Sequence, residues 1–240
     1  MKSMKRIIGL MVMVGMLMFP LAAKAADGQL GIYVAPKVIY GLTHMKDVKY
    51  QEVFGGSIDS YNFGSHWDST FGGSLAAGYD FSKRLNVPVR TELEYAAFSK
   101  AEGGGDPWVD SDDDQFIQSN KIQTLFVNVY YDINTGTKFT PYVGAGMGAG
   151  FIRTKGTDDM NGGVFRANTG SKTVTNFAWN IGLGLGYEIT KNVALDIGYR
   201  FADLGKVQTK WHPWRYDWHW HLETKRIYQH QFSMGARFTF

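Results

Sequence analysis

The 240-residue chain has no cysteine and, beyond its first 25 residues, no apolar run long enough to cross a bilayer as a helix. Each shortage excludes something. Without thiols there is no disulfide framework, thiolate metal site, iron–sulfur ligation or cysteine nucleophile. The 29 glycines follow no three-residue period, so the chain is not collagenous. At 44% hydrophobic and 15% aromatic residues the bulk of it is not disordered either. Net charge is also scarce. The formal +3 arises in the leader, because taking Lys2, Lys5, Arg6 and Lys24 from 25 cations leaves 21 against 22 acids, a net −1. No basic patch of the nucleic-acid-binding kind survives that subtraction, and no nucleic-acid partner is expected.

The leader itself is legible. Lys2, Lys5 and Arg6 precede a 17-residue apolar run, Ile7 to Ala23, which ends in the small-x-small triplet Ala23-Lys24-Ala25. This pattern predicts a cleaved secretory signal over residues 1–25 and a mature domain over 26–240. A membrane-anchor helix is the competing reading. The run is short for one and carries Gly9, Gly15 and Pro20.

Past the leader the chain alternates. Leu30, Ile32, Val34, Val38 and Tyr40 share one face, with Lys37 on the other; Leu125, Val127, Val129, Tyr131 and Ile133 oppose Thr124, Asn128 and Asp132. Period two over about ten residues recurs eight times, which predicts eight strands. The apolar faces carry aromatics near their ends, the distribution of a membrane girdle. The connections alternate in length, about 29, 22, 22 and 24 residues against 6, 6 and 3. Long external loops and short periplasmic turns fit an eight-stranded antiparallel up-and-down transmembrane β-barrel, closed because an open sheet edge in hydrocarbon leaves backbone groups unpaired.

The polar face then lines a lumen. Lys37, Arg90, Arg200 and Arg237 are expected to pair there with Glu92, Glu94, Asp132, Glu188 and Asp196, since a confined charge needs a partner or water. Gly144, Gly146 and Gly148 leave room for the rings of Phe126 and Tyr130 across the strand pair. The expected lumen is plugged or very narrow.

The segments 89–95, 127–132, 141–146 and 195–206, together with the ending Ser233-Met234-Gly235-Ala236-Arg237-Phe238-Thr239-Phe240, resemble the opacity-family and OmpA-like surface barrels of Gram-negative bacteria. The resemblance implies an integral outer-membrane protein in contact with outer-membrane lipid and lipopolysaccharide. It also implies insertion by the barrel assembly machinery, which reads a last strand ending in Phe; Phe232, Phe238 and Phe240 fit that signal. It does not reach the long loops, so no receptor carries over.

One loop stands out. Trp211-His212-Pro213-Trp214-Arg215-Tyr216-Asp217-Trp218-His219-Trp220-His221 holds four of the seven tryptophans. It reads as a hairpin continuing the apolar phase of the last strand, as a surface for a host or glycan ligand built from Trp211, His212, Trp214, Tyr216, Trp218, His219, Trp220 and His221, or as a metal or haem site on its histidines. The acidic run Asp110, Asp112, Asp113 and Asp114 lacks the Gly and Glu of a calcium loop. No histidine sits two residues from a serine on one strand face, and no catalytic residue, cofactor or metal is assigned. The expected function is a non-enzymatic surface barrel for envelope structure or adhesion, with a small porin and a lipid-modifying enzyme as alternatives.

Overall fold

A computed structural model of the chain describes residues 30–105, 115–160, 165–213 and 219–240. The leader, the acidic run at 110–114, and Trp214, Tyr216 and Trp218 lie outside the described residues.

The order is β1 (Ile32–Phe54), β2 (Ser57–Asp80), α1 (Ser82–Leu85), β3 (Val89–Gly105), β4 (Gln115–Asp132), β5 (Phe139–Met160), β6 (Phe165–Asn168), β7 (Lys172–Thr190), β8 (Val193–Gln208), β9 (His212–Pro213) and β10 (His219–Thr239). Eight long strands pair antiparallel in the order β1-β2-β3-β4-β5-β7-β8-β10, and β1 closes on β10 from Tyr33↔Thr239 to Val53↔His219. The two short strands only widen neighbours: β6 pairs with β5 and β9 with β10. The periplasmic connections are as short as expected, the tightest being Lys191-Asn192 between β7 and β8.

The long connections differ from expectation. Gly41 to Ser69, read as a loop, is β-ladder except for the Gly55-Gly56 turn. At 16–24 residues the long strands exceed the roughly 10 that cross a bilayer, so they continue as ribbons above it.

The polarity of the wall inverts where they leave the membrane. In the lower part the outward residues are apolar and bare, among them Ile32, Leu93, Val127, Ile181 and Met234, each about half or more exposed. This is the lipid-facing band. Higher up the inward residues are apolar instead. Met45, Val48, Phe98, Ile122, Ile152, Leu204, Val207 and Ile227 form one buried cluster inside the barrel, while Lys46, Lys121 and Arg153 point out. The upper part is thus a rod with the polarity of a water-soluble protein.

Bulges mark the transition. The β1 register shifts between Met45 and Val48, where Asp47 takes φ 51°; the β10 register shifts between Thr224 and Ile227, opposite Gly205 at φ 80°. Each extra residue flips the faces of the strand beyond it.

Two ladders stop short. β2 and β3 pair only below Gly72↔Phe98, and β7 and β8 only below Trp179↔Asp203. Above those points side chains take over. The Phe71 N–H donates to Ser99 Oγ at 3.0 Å and the Glu102 N–H to Asp68 Oδ2 at 2.8 Å, while Asn176 Nδ2 donates to the Leu204 and Lys206 carbonyls, both at 2.8 Å.

Candidate functional site

The interior is built in layers from the periplasmic end. Lowest, Arg90 makes a bidentate pair with Asp132, Nε to Oδ2 at 2.6 Å and Nη2 to Oδ1 at 2.8 Å, beneath the rings of Tyr130 and Tyr142. Arg237 reaches Asp196 at 3.6 Å.

Above them Lys37 Nζ bridges Glu92 Oε1 at 2.8 Å and Glu94 Oε2 at 2.6 Å, and Arg200 Nη2 holds the other Glu94 oxygen at 2.7 Å. Glu92 also accepts from the Tyr130 hydroxyl at 2.7 Å and from Tyr33 at 3.2 Å. Both carboxylates are fully packed, with side-chain exposures of 2% and 1%. The strand parity that predicted this network holds for eight of its nine members. Glu188 is the exception: it lies exposed near the periplasmic end of β7 and makes no ion pair among the described residues. Parity assigns a face but not a depth, and at the mouth of the barrel the inward face meets water.

The ring positions were also legible. A side chain at Gly144 would run into the Tyr130 ring, so the bare backbone there is what lets the phenol reach Glu92. The free space beside the network is about 30 Å³, lined by Lys37, Glu94, Tyr130 and Arg200 among others, room for about one water. Over it lies an amide and hydroxyl layer in which Gln231 donates to Gln229 at 2.6 Å and Gln229 to Thr43 and Thr70 at 3.2 and 3.1 Å. The apolar plug follows. A planar-bilayer recording is therefore expected to show no stable large conductance, and a steady nanosiemens-scale open level would contradict the layered closure.

The outer end is an aromatic cap. Tyr50, Phe116, Trp220 and Leu222 bury together, with ring centroids 4.5 Å apart for Tyr50–Phe116 and 5.3 Å for Phe116–Trp220. This corrects the expected placement of Trp220. The apolar phase of the last strand would carry it outward, but the bulge at 224–227 reverses the face and Trp220 enters the rod at 1% exposure. His221, on the other face, is covered by the Trp211 ring at a centroid distance of 3.8 Å. Trp211 remains 42% exposed, and His212 and His219 are partly covered. The eight-residue surface predicted from sequence is therefore divided: Trp220 is interior, His221 is buried on the outer face, three lie at the rim, and three fall outside the described residues. The described histidines are not gathered around a metal; no group of three or more potential ligands occurs among the described residues.

Burial pushes the His221 imidazole down to about 4, against an opposing pull from Glu223 and with a further push from Lys172 and Lys206. A histidine in the unfolded chain takes up its proton near pH 6.5. The neutral, buried ring therefore costs the cap nothing above that pH, and the cap loses stability progressively as pH falls from about 6.5 to 4. The protection of the amides at residues 219–224, measured against their intrinsic exchange rate at each pH, is expected to fall over that window and to stay flat in His221→Phe; parallel protection profiles for the two proteins would refute the assignment.

Of the proposed assembly residues, Phe232 faces lipid at 48% exposure and Phe238 is buried between Val34 and Val193. The Phe240 N–H donates to the Ile32 carbonyl at 2.8 Å, which seals the β1–β10 seam. Sequence reasoning missed a further group, the outward cations Lys100, Lys121, Arg153 and Lys155 around one concavity. They lie on three strands and become neighbours only through register.

Comparison with known proteins agrees with the architecture. Residues 11–240 match the family described as an outer membrane protein beta-barrel domain. Outer membrane protein PagN of Salmonella typhimurium is 33% identical over 177 residues, covering 71% of this chain and 73% of that protein. Putative adhesin RC1281 of Rickettsia conorii is 30% identical, covering 58% and 55%. Opacity protein opA60 of Neisseria gonorrhoeae is also 30% identical, covering 50% and 52%. The chain thus spans just over half the length of the last two.

Proposed function

Because this chain belongs to the outer membrane β-barrel protein family and resides in the Gram-negative outer membrane, we propose that it is a non-enzymatic surface protein whose extracellular rod mediates adhesion. One observation carries the reading. The wall continues well past the lipid band as a folded rod with its own apolar core, more structure than spanning requires. At its tip Phe54 and Ile58 flank the Gly55-Gly56 turn at 59% and 71% exposure, and Trp211 stands at the rim; exposed apolar groups of this kind mark contact surfaces. The Rickettsia relative, named a putative adhesin, points the same way. The interior does not favour a porin, since its charges are paired and its upper half is filled by two apolar clusters with a hydrogen-bonded Thr224–Gln118–Thr154 layer between them. The histidines favour packing over catalysis: His44 stacks on Trp67 at 4.3 Å, His230 meets the Tyr199 hydroxyl at 2.8 Å on the lipid side, and His221 lies under Trp211. Phe232, Phe238 and Phe240 fit the role of assembly signal on the closing strand.

The test uses residues outside the core. Bacteria displaying the barrel are expected to adhere to cultured epithelial cells and to lose most of that adherence in the triple variant Phe54→Ser, Ile58→Ser and Trp211→Ser, with the barrel amount in the outer membrane unchanged. Undiminished adherence would sink the proposal.

A further inference from the structure

A row of like charges crosses the outer wall. Lys100 on β3 is the register partner of Lys121 on β4, and Lys121 is in turn the partner of Arg153 on β5. Directly opposed residues in a sheet stand about 5 Å apart, and like charges there repel. Lys155, opposite Ser119, adds a fourth cation one step higher. Two acids share the face, Glu102 and Asp159, against four cations. Glu102 is taken by Lys100 at 3.4 Å and by the Ser119 hydroxyl at 2.7 Å, while Lys121, Arg153 and Lys155 make no ion pair among the described residues, so the face keeps a net positive charge. Together these side chains line a surface concavity of about 500 Å³ with Ile117 and Thr157 at its upper end.

Its height identifies the occupant. On β5 the outward residue next below Arg153 is Phe151, and on β4 the outward face below Lys121 runs through Gln123 to Leu125 and Val127, which meet lipid. A two-residue step along a tilted strand rises about 5 Å, so the cations stand about 5–10 Å above the hydrocarbon edge, at the depth of lipid headgroups. We propose that the Lys100–Lys121–Arg153–Lys155 face is a docking site for the phosphate groups of the outer-leaflet glycolipid, which clamps a phosphorylated lipid against the barrel wall. Guanidinium and ammonium groups are suited to phosphate, and the repulsion along the row is relieved when a multiply charged anion lies across it. The site is on the flank of the barrel and independent of the tip residues invoked for adhesion.

The probe is diphosphorylated lipid A added to the refolded barrel in nonionic detergent, with bound lipid counted by native mass spectrometry. In the triple variant Lys121→Gln, Arg153→Gln and Lys155→Gln, binding is expected to weaken on the order of a hundredfold, and in Arg153→Gln alone about fivefold. A control with the same charge change, Lys46→Gln, Lys49→Gln and Lys225→Gln, lies on strands where Asp47 and Glu223 interleave the cations and is expected to bind nearly as wild type. Dephosphorylated lipid A is expected to bind all these proteins alike. Removing the repulsion is also expected to leave thermal stability in detergent unchanged or higher. Equal retention of diphosphorylated lipid A by wild type and triple variant overturns the proposal. So does a variant that keeps lipid A but loses heparin, which would assign the face to a sulfated glycan.

Discussion

Replacing Glu94 with Ala is expected to cost the refolded barrel about 3–5 kcal/mol of unfolding free energy. Glu94 is the hinge of the ion network: one oxygen holds Lys37 at 2.6 Å and the other Arg200 at 2.7 Å, and its side chain is 1% exposed. Its removal leaves Lys37 leaning on Glu92 alone and Arg200 with the Gln231 side-chain oxygen Oε1, at 2.7 Å, as its remaining polar contact. The Phe126 ring under the guanidinium, 5.5 Å away, does not replace a carboxylate. The network need not add net stability for this to hold, because breaking a buried pair is costly even where an apolar replacement of both partners is neutral. Urea titration of the barrel in lipid vesicles measures the loss. A change under about 1 kcal/mol would mean that water fills the lumen and screens these charges.

Truncating Trp220 to Ala should cost a comparable amount, about 3–5 kcal/mol, but in a different place. Trp220 fills the centre of the cap with Tyr50, Phe116 and Leu222, and two polar layers separate it from the ion network: Thr224–Gln118–Thr154, then Thr43–Thr70–Gln229. The damage is therefore expected to stay in the rod. Limited proteolysis should cut the ribbons of the variant at protease levels that spare the wild type, while the SDS-resistant compact form of the membrane part persists. Loss of the compact form would show that cap and membrane part unfold as one unit, against the layered interior described above.

These two residues also mark how far the sequence could be read. Glu94 was placed correctly because β3 alternates without interruption from Val89 to Ala97, so parity alone puts Arg90, Glu92 and Glu94 inside. Trp220 was placed on the wrong face because the register shift between Thr224 and Ile227 leaves no mark in composition. The ribbons were hidden for a related reason. Alternation is apolar-out within the membrane and apolar-in above it, so Met45, Val48 and Tyr50 read from sequence as the irregular beginning of a loop. Lys121 and Arg153, 32 residues apart in sequence, become neighbours through strand register, which no single segment encodes.

The two interrupted ladders give the rod a mechanical character. Counted around the ring, the β2/β3 and β7/β8 seams leave β3, β4, β5 and β7 on one side and β8, β10, β1 and β2 on the other. They lie on a single diameter. Force or heat applied to the outer end thus meets an anisotropic tube, stiff within each half-sleeve and compliant across the line where Ser99, Asp68 and Asn176 stand in for backbone partners. Prying the halves apart spares every ladder and strains instead these side-chain bonds and the core between the sleeves, where Tyr50 meets Phe116 and Thr224 donates to Gln118.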